Sequence, residues 1–109
     1  LEAIRQGLEK AGLWQRCVLL PARPATESEL ARCHTPAYLA TVKGDIAAGR
    51  SVLSTGDTAL SPHSEEAARL AAGGGLVAVE AVMAGQVRQA FVAVRPPGHH
   101  ATADRGMGF

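Results

Sequence analysis

Ala90-Phe91-Val92-Ala93-Val94-Arg95-Pro96-Pro97-Gly98-His99-His100-Ala101, near the end of a 109-residue chain, joins a solid apolar run to two adjacent imidazoles. Five apolar residues rich in Val and Phe, with no polar alternation, fit a strand covered on both faces, as in a parallel sheet. Pro-Pro-Gly cannot continue a strand or a helix, because each proline fixes φ while Gly98 admits a turn that other residues resist. In open α/β sheets ligands collect beyond the carboxyl ends of the strands. His99 and His100 are therefore expected on a stiff loop at such an edge. Neighbouring side chains of a strand point to opposite faces, but an irregular loop can aim both at one pocket. Histidine titrates near neutrality, so the two imidazoles form a candidate proton-transfer pair. The plainer alternative is that one ring satisfies a core carbonyl and the other meets water.

Upstream, a long helix is expected to start at Ser61-Pro62 or Ser64-Glu65-Glu66 and run to Met83, with Gly85 closing it and His63 exposed in its first turn. Gly73-Gly74-Gly75 is expected to interrupt that helix, since each glycine costs about 1 kcal/mol relative to alanine. A phosphate-cradling loop would need a following Gly-Lys-Ser/Thr, which is missing, so tight packing against a sheet accounts better for the small residues. Arg50 to Ser61 reads as a loop holding one acid, Asp57, whose plainer role is an Asx turn or a cap. Thr35-Pro36 is an N-cap followed by proline, opening a helix toward Gly49. Thr26 to Glu29 has the form of a capping box. Cys17 to Leu20 reads as a second strand, ended by Pro21. At the start, Ile4, Leu8 and Ala11 share a helical face, Glu2, Arg5, Glu9 and Lys10 form the solvated one, and Gly12 ends the helix.

Composition narrows the function. Hydrophobic residues make up 47% of the chain, enough for one modest domain, but the aromatics are only two Phe, one Trp and one Tyr. Two strand candidates are too few to close a parallel sheet. A net charge of +1, with no basic run, argues against a nucleic-acid partner. Cys17 and Cys33 have no C-x-x-C spacing and read as buried small apolar residues in a reducing compartment. No apolar run reaches transmembrane length and no targeting pattern opens the chain, so the expectation is a soluble cytoplasmic protein, or a nuclear one if eukaryotic, without a membrane partner.

RPPGHHA at 95–101, with Thr102 to Met107 and then Gly108-Phe109, resembles the active-site segment of the zinc-dependent histone deacetylase superfamily, in particular its class II and bacterial deacetylase-like members. Leu1 to Leu13, Ala22 to Leu39 and Asp57 to Gly75 resemble the same family in the same order, so the resemblance spans essentially the whole chain. It implies an arginase-like three-layer α/β/α fold with a mainly parallel sheet. It also implies that His100 is the general base toward the attacking water and that His99 is an electrostatic or acid partner near the scissile amide. By the same resemblance Gly108 offers its carbonyl to the substrate amide, Phe109 lines the tunnel for the acyl-lysine stem, and Asp57 touches substrate at the rim.

Zinc is the cofactor the resemblance implies, yet the family's Asp-x-His motif, its further zinc-binding Asp, the carboxylates that orient the histidines and the late Tyr or His are not among these residues. The family also places a first strand and a His-Pro-Glu-Arg-like segment before the position of Leu1. The expectation is thus the N-terminal part of a single deacetylase catalytic domain, truncated at both ends and inactive alone, with no metal ligand of its own. The reaction implied is hydrolysis of an N-acetyl amide, with acetyl-lysine in proteins as the first substrate and acetylated polyamines or other small amides as rivals. Two other readings stand beside it: a non-catalytic remnant or binding module, and a different hydrolase built on Cys33-His34. The family carries a histidine at the position of His34 without a catalytic role, which favours a structural, hydrogen-bonded His34.

Overall fold

In the computed structural model, which describes residues 1–107, the helices α1 (Glu2–Lys10), α2 (Glu27–Leu30), α3 (Pro36–Ala47) and α4 (Ser64–Met83) follow one another along the chain. Local chemistry sets their ends. Arg5 pairs with Glu2 and Glu9 on the solvated face of α1, and Gly12 turns the chain at φ +66°. At α2 the Thr26 hydroxyl accepts from the Glu29 N–H at 3.3 Å while the Thr26 N–H donates to the Glu29 carboxylate at 2.8 Å, which completes the capping box. At α3 the Thr35 hydroxyl accepts from the Tyr38 N–H at 3.2 Å, with Pro36 in the first helical position. His63 precedes α4 and is exposed.

Contrary to expectation, Gly73-Gly74-Gly75 does not interrupt α4, which runs through all three. Packing outweighs propensity here. Gly73 is buried, and a Cβ on it would collide with the Arg23 carbonyl and lie 2.9 Å from the Ala25 nitrogen. Beside it, the place of a Gly74 Cβ is 3.4 Å from Val94 Cγ1 and 3.7 Å from Ala22 Cβ. The glycines open a groove that admits residues 22–25 on one side and the end of the 90–94 run on the other. Ala25 is stitched into it twice: its N–H donates to the Arg69 carbonyl at 2.9 Å, and its carbonyl accepts from the Arg69 guanidinium at 3.0 Å. Arg69 also reaches Glu27 and Glu65, Lys43 of α3 reaches Glu27, and Arg23 bridges Glu29 and Glu80. Such partly exposed pairs add little energy individually, but together they fix the register of α2, α3 and residues 22–25 on α4.

The two expected strands need correction. Cys17 to Leu20 and Ala90 to Val94 enter no ladder, and among the described residues the β-pairing consists of one antiparallel bridge between Val52 and Ala59. Nor is the 90–94 run covered on both faces, since Phe91 is 76% exposed and Val18, on the other run, 69%. The physical reason is the absence of a pairing partner: a strand is held by hydrogen bonds to chains lying alongside, and no described segment pairs with either run in a ladder. The expected parallel sheet is therefore not seen, and what the described residues form is α4 with α3 and the loops packed on it.

The core is a narrow seam of Ala25, Leu39, Leu53, Ala71, Ala78 and Ala81. The accessible surface is 7471 Å², against about 5,700 Å² for a compact monomer of this mass. The radius of gyration is 15.7 Å, against about 13 Å. The described residues extend over 44 × 29 × 20 Å and leave the apolar residues Val18, Leu19, Val79, Met83 and Phe91 uncovered. No helix among the described residues is long and apolar enough to cross a membrane.

Candidate active site

Past Val94 the backbone passes through the cis Arg95-Pro96 bond and Pro97 to Gly98, whose φ of +69° lies in the left-handed region that glycine adopts freely. The Ala101 N–H donates to the Gly98 carbonyl at 3.0 Å, closing a turn with His99 and His100 at its two central positions. Both histidines are exposed, and their ring centroids lie 4.1 Å apart with planes inclined at 56°. The rings thus stand together at the surface, and the adjoining cleft is lined by Gly98 and Ala101 on either side of them and by neither histidine, so the expectation that both point into one pocket is not met among the described residues.

The loop after the turn is fastened at several points. The Thr102 N–H donates to the Arg105 carbonyl at 2.9 Å and its hydroxyl to the Asp104 carboxylate at 3.0 Å. From the α3 side, His34 Nδ1 lies 3.0 Å from the Thr102 carbonyl, and the Thr35 N–H donates to the Ala103 carbonyl at 2.8 Å. A carbonyl can only accept, so Nδ1 carries the proton. Gly106 is buried, and a Cβ there would strike Leu53 Cδ2 and lie 2.8 Å from the Tyr38 hydroxyl. Burial pushes the Tyr38 phenol up from its ordinary value.

Between α3, α4 and residues 94–107 lies a largely apolar cleft of about 540 Å³, lined by Leu39, Tyr38, Thr58 and Pro96 among others. The Thr58 hydroxyl is buried and has no hydrogen-bond partner among the described residues. Asp57 sits in the connection between the bridged residues Val52 and Ala59 and is exposed. Among the described residues its carboxylate has no hydrogen-bond partner, so the expected Asx turn or cap is not formed. Gly108 and Phe109 lie outside the described residues.

Cys17 and Cys33 are both exposed free thiols, which corrects the expectation that they are buried. Cys17 follows a short 3-10 turn (Trp14–Arg16) and opens an uncovered run, while Cys33 lies in the turn after α2. The hydrogen bond of His34 is the structural one expected of it. Among the described residues no three His, Cys, Asp or Glu side chains gather as a metal site would require. A catalytic zinc takes three protein ligands, so these residues by themselves do not fit that ion.

Residues 1–109 match the family described as the histone deacetylase domain. This chain belongs to that family. It is 40% identical to the human polyamine deacetylase HDAC10 over 118 residues, covering 100% of this chain and 17% of that protein. It is 41% identical to the histone deacetylase-like amidohydrolase of Pseudomonas aeruginosa over 102 residues, covering 94% of this chain and 27% of that one. The crystal structure of the HDA15 HD domain superposes with a TM-score of 0.87 at 37% identity, covering 99% of this chain and 31% of that chain. The deacetylase-family segment thus spans less than a third of these relatives.

Sequence reading brought His99 and His100 together and anticipated that His34 is hydrogen-bonded. It missed what His34 and Thr35 hold. Their partners Thr102 and Ala103 are remote in the chain, 68 positions away for His34, and the Thr35-Pro36 signal reports only a helix start.

Proposed function

We propose that residues 1–109 are the N-terminal part of a single zinc-dependent deacetylase catalytic domain that hydrolyses N-acetyl amides. The observation that carries this reading is the pair of exposed imidazoles with centroids 4.1 Å apart on one turn. In the proposed step, His100 takes a proton from water as its oxygen attacks the acetyl carbonyl carbon. The carbon–nitrogen bond then breaks, His99 assists as acid or by stabilising charge, and acetate and a free amine leave. Zinc, when held by ligands other than these residues, supplies Lewis-acid activation of the water. Residues 1–109 alone are expected to be inactive, because the described part gathers no ligand set for it.

Gly108, Phe109 and Asp57 are assigned to substrate by resemblance, Gly108 through its carbonyl, Phe109 through the tunnel wall and Asp57 at the rim. Acetyl-lysine in proteins is the first substrate. Likeness to a protein named as a polyamine deacetylase favours acetylated polyamines as the second. The finer fold proposed is the three-layer arrangement, in which Cys17 to Leu20 and Ala90 to Val94 pair with strands outside these residues, a reading supported by their exposed apolar side chains. Two exposed free thiols support a reducing compartment, the cytoplasm or a nucleus.

The test is His100→Ala in an intact, zinc-loaded parent protein that contains residues 1–109, with acetyl-lysine peptide and acetylated polyamine as substrates. Hydrolysis is expected to fall about 10²- to 10⁴-fold while bound zinc stays unchanged. Loss of zinc would mean that His100 is a ligand, and unchanged hydrolysis would remove it from the chemistry.

A further inference from the structure

We propose that His34 is a positioning residue for the His99-His100 pair, acting through the hydrogen bond from its Nδ1–H to the Thr102 carbonyl. The inference rests on the deacetylase reading above and adds a residue to its machinery. Only Ala101 separates His100 from Thr102, so the Thr102 carbonyl is a fixed point two residues from the proposed base. Three contacts hold that point and its continuation to α3 and the residues leading into it. His34 Nδ1 reaches the Thr102 carbonyl at 3.0 Å, the Thr35 N–H reaches the Ala103 carbonyl at 2.8 Å, and the Tyr38 hydroxyl packs against Gly106.

The His34 ring is itself steadied. It is half-buried and lies 5.1 Å from the Tyr38 ring at a tilt of 45°, one turn into α3. Leu53 also packs on Gly106, and the Gly106 N–H reaches the Thr55 hydroxyl at 3.5 Å, so the segment 102–106 is held to residues 53–55 as well as to α3. The turn at 98–101 has one internal hydrogen bond between its ends and exposed side chains at its centre, so its placement depends on what holds the chain beyond it. A displacement of about 1 Å in a reacting group can cost about 10²-fold in rate. The hydrogen bond and the ring pairing of His34 go to Thr102 and Tyr38, so its effect on His99 and His100 runs through the backbone.

The experiment compares His34→Ala, His34→Phe and His34→Asn in the same intact, zinc-loaded parent protein. Phe keeps a ring against Tyr38 but loses the donor, whereas the Asn side-chain amide can place an N–H near the position of Nδ1. His34→Ala and His34→Phe are expected to lower kcat about tenfold with KM within twofold and bound zinc unchanged, and His34→Asn to stay within threefold of the parent. Full activity in His34→Phe, or an Asn variant as impaired as Ala, would overturn the proposal.

A readout that needs no catalysis is nitrogen NMR of the parent protein, where His34 is expected as the Nδ1–H tautomer. Hydrogen exchange at the Thr35 amide is expected to speed up in the Ala and Phe variants. A neutral Nε2–H tautomer, or unchanged exchange, would overturn the clamp whatever the enzyme does. A parent that hydrolyses no acetyl amide but shows the tautomer and the exchange pattern would defeat the deacetylase reading and leave the clamp standing.

Discussion

Gly73→Ala and Gly75→Ala are the same chemical change two residues apart in one helix, and the structure predicts opposite outcomes. In isolation each replacement favours the helix by about 1 kcal/mol. At Gly75 nothing lies within 4 Å of the new Cβ, so the protein is expected to gain about that amount. At Gly73 the new Cβ runs into the Arg23 carbonyl and stands 2.8 Å from its carbon, with backbone on both sides and no flexible side chain to yield. Residues 22–25 must lift off α4, which costs about 1–3 kcal/mol in overpacking. The hydrogen bonds that tie Ala25 to Arg69 at 2.9 and 3.0 Å stretch with them, at about 1 kcal/mol each. The net expectation is a loss of about 2–4 kcal/mol for Gly73→Ala, read as a lower urea midpoint at constant slope. Amide exchange at Ala25 should speed up in that variant alone. Equal midpoints for the two variants would refute the close approach of Arg23 to α4.

Two further outcomes follow from side-chain chemistry. The Arg23 guanidinium, with the Thr26 N–H and hydroxyl, holds the Glu29 carboxyl at about 2, below its ordinary 4.5. Because the folded value is the lower one, this stabilisation is complete above the ordinary value and is lost as pH falls from about 4.5 toward 2. Glu29→Gln is expected to flatten the acid limb of a Tm-against-pH curve in that window, and an identical acid limb would show that the pair carries no linkage. Cys33→Ala is expected to retain full amide hydrolysis, since the imidazole of its neighbour is committed to Thr102, whereas a loss of more than tenfold would revive a thiol nucleophile.

What could be read in the sequence was the chemistry that closes within a few residues. The Thr26 to Glu29 box, the Thr35-Pro36 start and the Gly98 turn each satisfy backbone groups within about one helical turn, so residue type at fixed spacing is sufficient. The same locality put His99 and His100 on one turn, because Pro-Pro-Gly excludes the alternating geometry of a strand. The apolar runs 17–20 and 90–94 announced burial, but a strand exists only against a pairing partner, and neither run has one among the described residues. The three glycines of α4 carried a propensity penalty in sequence, and only the approach of Arg23 and Val94 shows what small residues at Gly73 and Gly74 make room for. The hold of His34 on Thr102 likewise belongs to the tertiary structure. A hydrogen bond across 68 positions depends on how α3 docks, and no spacing rule reaches that far.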